Sequence, residues 1–249
     1  NENIATSKEI DQGLETSQDY LEAGSFSDTT TMDGKAIFTI GALNDEDKDA
    51  FTEATMATYM VQSNLNTSFT GDDNLYIRLK SGNATDWLKS YSYGTYLSSS
   101  KGNGDDVKVD KIWYTFPIGE NQTFWIGPKI ENYYMHATTP SIYKPVTKQF
   151  TLGGNGAAYG ASTNPGIGWA YKFDNGFAIS SNAVSQDGDS ANGWGTSESE
   201  TSWATQIGYT KPTYSASFIF NRKTNGWADS YYTTPLGKLR PHGGNSNNY

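Results

Sequence analysis

The stretch TYMVQSNLNTSFTGDDNLYIRLKSG, residues 58–82, decides the fold class. In its first half the apolar side chains of Tyr59, Val61 and Leu65 stand at odd positions, and polar residues dominate the even ones. Successive side chains of a strand point to opposite faces, so this alternation predicts a strand with one apolar and one polar face. The second half repeats the alternation, and Gly-Asp-Asp at 71–73 supplies the residue types of a tight turn. The stretch therefore predicts an antiparallel hairpin.

The same alternation recurs along the chain and predicts nine strands. Tight turns and long polar connectors alternate as the links between them. They are expected at residues 33–42, 58–70, 74–82, 107–116, 122–130, 166–173, 177–185, 201–210 and 214–222. Short turns on one rim and long loops on the other are typical of a transmembrane antiparallel β-barrel. Aromatic residues near the strand ends of the apolar face would form its interfacial belts. They are Tyr59, Phe69, Phe116, Trp169, Phe173, Phe177, Trp203, Tyr209 and Phe220.

The composition agrees with a barrel and argues against one class of partner. Hydrophobic residues make up only 35% of the 249 residues, which suits strands with one polar face better than a soluble core of this size. The net charge of −9 argues against nucleic acid as a partner, because the two would repel each other. No apolar run approaches the roughly 18 residues of a membrane helix.

An N-terminal segment, residues 1–24, precedes the strands and has a helical pattern. Ile10, Leu14 and Leu21 lie on one narrow apolar stripe. A surface helix packed on its own domain and a short coiled coil between subunits both explain such a stripe. We expect residues 1–24 to form a periplasmic helix or coiled coil, and residues 25–249 to form the N-terminal part of the barrel.

The predicted strand count bears on how much of the barrel the chain contains. Nine strands would leave Tyr249 on the side opposite to the N-terminal helix. Bacterial single-chain barrels usually have an even number of strands, and about 16 strands suit a diffusion pore. We therefore expect the closing strands to lie beyond this chain.

Three stretches carry a family resemblance: FSDTTTMDGKAIF at 26–38, NLNTSFTG at 64–71 and VDKIWYTFPIG at 109–119. They resemble the major outer-membrane porins of cyanobacteria, which are related to the carbohydrate-selective porins and are often labelled iron-uptake porins. The resemblance implies a homotrimeric barrel, surrounded by outer-membrane lipid and lipopolysaccharide, that passes inorganic ions and small solutes passively. It also implies attachment to peptidoglycan through an S-layer-homology domain that lies outside this chain.

Polar-face side chains of such a barrel would line the lumen and select solutes by charge. The expected pore-lining residues are Gln62, Asn64, Asn66, Arg78, Lys80, Lys111, Lys172 and Gln206. The charged members of this set are basic, which predicts a modest preference for anions. The longest connector, residues 131–165, could fold inward and narrow the channel, or could face outward and cover the mouth or touch a neighbouring subunit. Its candidate constriction residues are Glu131, Tyr143, Lys144 and Lys148.

A soluble alternative belongs to another functional class: an extracellular all-β carbohydrate-binding module or a jelly-roll glycosidase. Such a protein would use loop aromatic residues as platforms on which sugars stack. The candidates are Trp87, Tyr91, Tyr93, Trp194 and Trp227. The barrel is favoured because a compact soluble domain seldom carries connectors of this length.

No catalytic or cofactor chemistry is predicted. His136 and His242 have no acidic or histidine partner at ligand spacing, so the sequence supports neither a metal site nor a His-based triad. We therefore expect no enzymatic activity and no cofactor.

Overall fold

The structure is a computed structural model that describes residues 29–44, 53–89, 97–139, 156–160, 162–227 and 244–249. None of the helices within these ranges has the length and apolar character needed to span a membrane. Three groups of predicted residues lie outside them: Ile10, Leu14 and Leu21 of the N-terminal helix, Tyr143, Lys144 and Lys148 of the longest connector, and the candidate sugar platforms Tyr91 and Tyr93.

The described chain forms one antiparallel sheet in which ten strands follow one another in chain order. They are β1 (Thr30–Gly41), β2 (Met56–Thr67), β3 (Asn74–Gly82), β4 (Lys108–Ile118), β5 (Gln122–Ile130), β6 (Asn164–Lys172), β7 (Phe177–Ser185), β8 (Thr201–Thr210), β9 (Ser215–Lys223) and β10 (Ser246–Asn248). The predicted all-β antiparallel fold is confirmed. The strands β3, β5, β7 and β8 begin and end at the predicted residues.

The tenth strand corrects the predicted count of nine. β10 pairs antiparallel with the end of β9, and it therefore runs back from the long-connector end of the sheet toward the tight-turn end. Its three residues, Ser-Asn-Asn, contain no apolar side chain, so no alternation was present to indicate a strand.

Three short helices lie in the described parts of the connectors. Two are 3-10 helices, Asp86–Lys89 between β3 and β4 and Asn132–Met135 between β5 and β6. The third is a single α-helical turn, α1 (Gly156–Tyr159), which precedes β6.

Asp73 organises the tight turn between β2 and β3. Its carboxylate accepts hydrogen bonds from the backbone N–H groups of Phe69 (2.9 Å) and Thr70 (2.8 Å) and from the Ser68 hydroxyl (2.8 Å). The Tyr114 hydroxyl on β4 donates a further hydrogen bond to it. The bond from Tyr114, together with the donors of the turn, holds the pKa of Asp73 well below its usual range. One side chain thus closes the hairpin and joins it to the next strand.

The two faces of the sheet differ in chemistry and in exposure. On β8 the side chains of Ser202, Ala204 and Gln206 are fully buried, whereas the alternating Trp203 and Ile207 are 51% and 55% exposed. We call the side that carries Gln206 the polar face and the side that carries Trp203 the apolar face. Large exposed residues of the apolar face on other strands include Met32, Phe38, Ile40, Val61, Ile118, Ile126, Ile167, Phe177 and Phe218.

The main apolar core lies on the polar face, between the sheet and the connector that follows β5. It consists of Trp113, Ile130, Met135, Val184 and Trp227, all buried. A sheet covered on only one side has its core under the covering segment, so the connector between β5 and β6 positions the candidate site.

Candidate functional site

Register brings the polar residues of β1 to β4 into two rows on the polar face. The first row consists of Asp33, Asn64, Arg78 and Lys111. The second row consists of Lys35, Gln62, Lys80 and Lys108. Directly opposite residues of antiparallel strands have their side chains on the same face, within contact distance. Three of the four residues of the second row are therefore lysines, and two of them, Lys80 and Lys108, lie side by side.

A β-bulge adds one carboxylate to these rows. The register of β3 and β4 shifts between Arg78 and Leu79, so that β4 contains one extra residue, Asp110. Its carboxylate lies 3.9 Å from the Arg78 guanidinium and 3.5 Å from the Lys101 ammonium. Lys101 belongs to the connector before β4, where residues Asn83 and Gly102 form an isolated bridge. The connector thus brings another cation to the rows.

Arg78 is held in one orientation by oxygen acceptors. Its Nε donates to the Tyr76 hydroxyl (2.8 Å) and to Asn64 Oδ1 (3.2 Å). Its Nη1 donates to the Tyr134 hydroxyl (3.2 Å), which belongs to the connector after β5. The guanidinium also lies over the rings of Tyr76 and Tyr134, 5.4 and 5.9 Å from their centroids.

Lys111 attaches the connector after β5 to the sheet. Its ammonium lies 2.7 Å from Glu131 Oε1 and donates a 2.9 Å hydrogen bond to the Thr163 hydroxyl, which in turn donates to Glu131 (2.6 Å). The side chains of Lys111 and Glu131 are only 6% and 8% exposed. Glu131 and Thr163 stand near the two ends of the connector, so this buried triad closes the loop at its base.

Further along, the connector crosses the polar face of β7 and β8. Asn132 Nδ2 donates to Asn182 Oδ1 (2.8 Å) and to the Ser202 carbonyl (2.9 Å). Gln206 forms a reciprocal pair with the backbone of Thr138: its Oε1 accepts from the Thr138 N–H (2.9 Å) and its Nε2 donates to the Thr138 carbonyl (2.8 Å). Buried strand side chains thus satisfy polar groups of the connector that water cannot reach.

The helix α1 makes an analogous contact one strand further on. Asn221 Nδ2 on β9 donates a 3.1 Å hydrogen bond to the Ala158 carbonyl. The described parts of the connector therefore contact the polar face from β3 and β4, through Tyr134 and Glu131, to β9.

Glycines within the strands leave the space that the connector occupies. A Cβ atom at Gly168 would lie 2.7 Å from Met135 Sδ, and one at Gly166 would lie 2.6 Å from Ile130 Cγ2. A Cβ atom at Gly208 would overlap Thr138. Glycine inside a strand often marks such a close approach, and this signal was present in the sequence.

His136 belongs to the connector and is buried against β7. Its Nδ1 lies 3.2 Å from Asn182 Nδ2, so the amide can donate to the neutral imidazole ring. Burial lowers the pKa of His136 to about 4, because the surrounding protein disfavours the charged ring. Among the described residues, no group of three or more His, Asp or Glu side chains could hold a metal ion.

The predicted pore-lining residues are found in three environments. Six of them come together on β2, β3 and β4: Gln62, Asn64, Asn66, Arg78, Lys80 and Lys111. Lys172 lies apart from these residues and is exposed at the tight-turn end of β6. Lys111 and Gln206 share the polar face as expected, but both are buried beneath the connector and contact it instead of water. Of the predicted constriction residues, Glu131 lies in this covering segment.

The sequence analysis missed several residues that build the site. Asp110 could have been found, since Asp110 and Lys111 are consecutive polar residues that interrupt the alternation of β4 and so indicate a bulge. Asn132, Asn182 and Asn221 left no comparable signal, because the hydrogen bonds that join the connector to the sheet through them link residues 46 or more positions apart in the chain.

The aromatic residues named as sugar platforms do not share one surface. Trp87 and Trp227 are buried, and Trp194 is exposed. Tyr91 and Tyr93 lie outside the described residues. Burial of Trp87 and Trp227 removes the ring faces on which a sugar would stack.

Comparison with known proteins finds relatives in cyanobacteria. No family model matches the chain. The chain is 30% identical over 200 residues to an uncharacterized protein of Nostoc sp.. This alignment covers 75% of the chain and 33% of that protein. It is 31% identical over 117 residues to an uncharacterized protein of Synechocystis sp., covering 46% of this chain and 21% of that protein. The aligned parts thus span about a third and a fifth of these relatives.

Proposed function

We propose that this chain contributes its strands to a transmembrane β-barrel of the cyanobacterial outer membrane, and that the barrel is a porin. Inorganic ions and small hydrophilic solutes would diffuse passively through its water-filled lumen, with no bond making and no cofactor. The barrels would associate as a homotrimer of the kind found in the cyanobacterial outer-membrane porins that the sequence resembles.

The observation that carries this proposal is the exposed apolar face of a long antiparallel meander. Apolar side chains on β1, β2 and β4 to β9 point away from the connector-covered face and remain exposed. A large contiguous apolar surface is unfavourable in water and favourable in lipid. Charged and amide side chains on the opposite face suit a hydrated interior, as in barrels of this class.

Aromatic rings at one end of the apolar face support a membrane interface there. Tyr114, Phe116 and Phe124 form a continuous stack near the tight turns, with centroid separations of 5.6 Å. Phe177 and Tyr209 form another close pair, with centroids 4.7 Å apart. Further rings near the tight turns belong to Phe69, Tyr171, Phe173 and Tyr214. Such belts are enriched where a barrel meets the headgroup region.

The connector after β5 suits the role of a constriction. It lies on the polar face, so in a closed barrel it would occupy part of the lumen. The triad of Lys111, Glu131 and Thr163 would hold it there, and the solutes would pass beside the rows on β1 to β4. Pore cross-section and charge at that level would then determine which solutes pass.

Conductance across a planar lipid bilayer tests the proposal directly. Protein extracted in detergent is expected to produce discrete current steps whose size increases with salt concentration. Detergent alone and heat-denatured protein serve as controls. A protein that is monodisperse in buffer without detergent, or that produces no steps, would contradict the proposal and favour the soluble carbohydrate-binding alternative.

A further inference from the structure

Two cavities follow one another along β7 on the apolar face of the sheet. The first, of about 380 Å³, is lined by residues of β4 to β8, and the second, of about 340 Å³, lies nearer the tight turns. We propose that together they bind one phospholipid of the leaflet at the tight-turn end, with an acyl chain in the cavities and an anionic headgroup beside Lys211. The site rests on the proposed membrane location, although lipid binding can be measured without transport.

Aromatic rings and small side chains line the first cavity together. The rings belong to Phe124, Trp169 and Trp203, and the small side chains are those of Ser181 and Ala183 on β7. Register explains the shape, because Ser181 stands opposite Trp169 on β6, and Ala183 stands opposite Trp203 on β8. Small residues between bulky ones leave a hollow on the face that would contact lipid.

The polar side chains around this hollow are already paired with one another. Trp203 Nε1 donates to Ser181 Oγ (2.8 Å), and the Ser181 hydroxyl lies 3.2 Å from that of Thr205. Trp169 Nε1 donates to Gln122 Oε1 (2.9 Å). The rings and alkyl groups therefore form most of the surface that a ligand would contact. An alkyl chain suits that surface, whereas a polar solute would lose hydrogen bonds to water without replacing them.

The second cavity continues the first toward the tight turns. Its lining includes Phe173, Phe177, Ile179 and Ile207. Ile179 of this cavity and Ser181 of the first are two residues apart on one face of β7, a distance of about 7 Å. From Phe177 to Ala183 the strand extends about 20 Å, which at a barrel tilt of about 45° spans about half of the roughly 30 Å hydrocarbon core. The two cavities thus match the depth of one leaflet.

A positive charge lies at the tight-turn end of the second cavity. The Lys211 ammonium is 5.3 Å from the centroid of the Tyr209 ring, which in turn packs on Phe177 with centroids 4.7 Å apart. The ammonium donates to the Asn175 carbonyl (3.4 Å), and it forms no ion pair with a carboxylate of the described residues. Asp174 Oδ1 accepts a hydrogen bond from the turn between β4 and β5 instead. A lysine at a membrane surface attracts anionic headgroups, so Lys211 favours an anionic phospholipid over a neutral one.

Quenching of tryptophan fluorescence by brominated phosphatidylglycerol tests the site in detergent-solubilised protein. Trp169 and Trp203 line the first cavity and would report a brominated acyl chain there. We expect saturable quenching, with an affinity that Ala183→Phe weakens at least about tenfold by filling the hollow. Ala216→Phe adds the same ring to the apolar face of β9, outside both cavities, and should leave the affinity unchanged. Quenching that does not saturate, or an equal loss in Ala216→Phe, would overturn the inference.

Lys211→Gln tests the headgroup contact without changing the packing of the cavities. It should weaken binding of phosphatidylglycerol about fivefold, the effect of one lysine near a membrane surface, and leave binding of brominated phosphatidylcholine unchanged. Lys129→Gln is the matched control, because Lys129 is exposed at the opposite end of the sheet and its ammonium also donates to a carbonyl, that of Val109 (3.1 Å). Equal affinities of the unmodified protein for the two lipids would overturn the proposed headgroup contact and with it the inference.

Sedimentation and conductance separate the lipid site from a subunit contact and from the proposed pore. If Ala183→Phe changed the oligomeric state and left the quenching unchanged, the hollow would be an interface between copies of the chain and the inference would be overturned. Conductance without saturable lipid binding would leave the pore standing and overturn the site. Saturable lipid binding without conductance would retain the site and overturn the pore.

Discussion

Lys111 lies on the predicted face of β4, but its side chain is buried where the sequence predicted contact with water. The alternation of β4 assigns it to the polar face, where a hydrated wall was expected. Glu131 and Thr163 instead enclose its ammonium in a buried triad. A buried cation is tolerated only with a partner of opposite charge, and that partner comes from a connector whose path the local pattern does not encode.

Glu131→Ala tests this triad by removing the carboxylate and leaving the Lys111 cation buried. Breaking a buried pair from one side typically costs about 3–5 kcal/mol, so the free energy of unfolding should fall by that amount in urea, followed by tryptophan fluorescence. The double variant Glu131→Leu with Lys111→Met should regain most of the loss, since no charge remains buried. A single-variant cost below about 1 kcal/mol, typical of surface pairs, would contradict the buried pair.

Elements differ in how far their own sequences specify them. β3, β5, β7 and β8 begin and end as the alternation predicts, because apolar and polar side chains alternate along each of them. The connector after β5 has no such periodicity. Its position depends on buried amides of β7 to β9 and on the space left by strand glycines, both of which are properties of the assembled sheet.

His136 makes the attachment of this connector sensitive to pH. The folded-state pKa is about 4, below the unfolded value of about 6.5, so the neutral ring contributes stability above pH 6.5. That contribution, about 3 kcal/mol, should disappear as the pH falls from 6.5 to 4. Hydrogen exchange at residues 131–139 across this range measures it.

Two variants show whether His136 causes the pH effect. His136→Gln should flatten the dependence of exchange on pH between 4 and 6.5. His242→Gln removes the other histidine of the chain and serves as the control. Unchanged pH dependence in His136→Gln would assign the effect to other groups.

On most strands of the sheet, apolar side chains lie on one face and polar side chains lie on the other. Adjacent residues of β9 show this clearly: Phe218 is 60% exposed on the apolar face, and Ser217 is exposed on the polar face. In water, charged substitutions at two such exposed positions would have similarly small effects. In a membrane barrel they would differ strongly, since only one of them would place a charge in lipid.

Phe218→Lys and Ser217→Lys therefore form a matched pair. If the apolar face contacts lipid, Phe218→Lys should destabilise the protein folded in vesicles by about 2–4 kcal/mol, the cost of lysine near the bilayer midplane. Ser217→Lys should change the stability by less than about 1 kcal/mol. Urea titration of protein folded into lipid vesicles measures both, and equal effects would contradict lipid contact.

Strand positions, turn positions and the division into two faces follow from local pattern, because side chains alternate along any extended chain whatever its partners. The basic rows of β1 to β4, the bulge carboxylate at Asp110 and the burial of Gln206 do not follow from it. They depend on which residues of neighbouring strands stand opposite one another and on where the connector lies. Those relations join groups far apart in the chain, and only the assembled sheet, by burying some polar groups and pairing others, determines them.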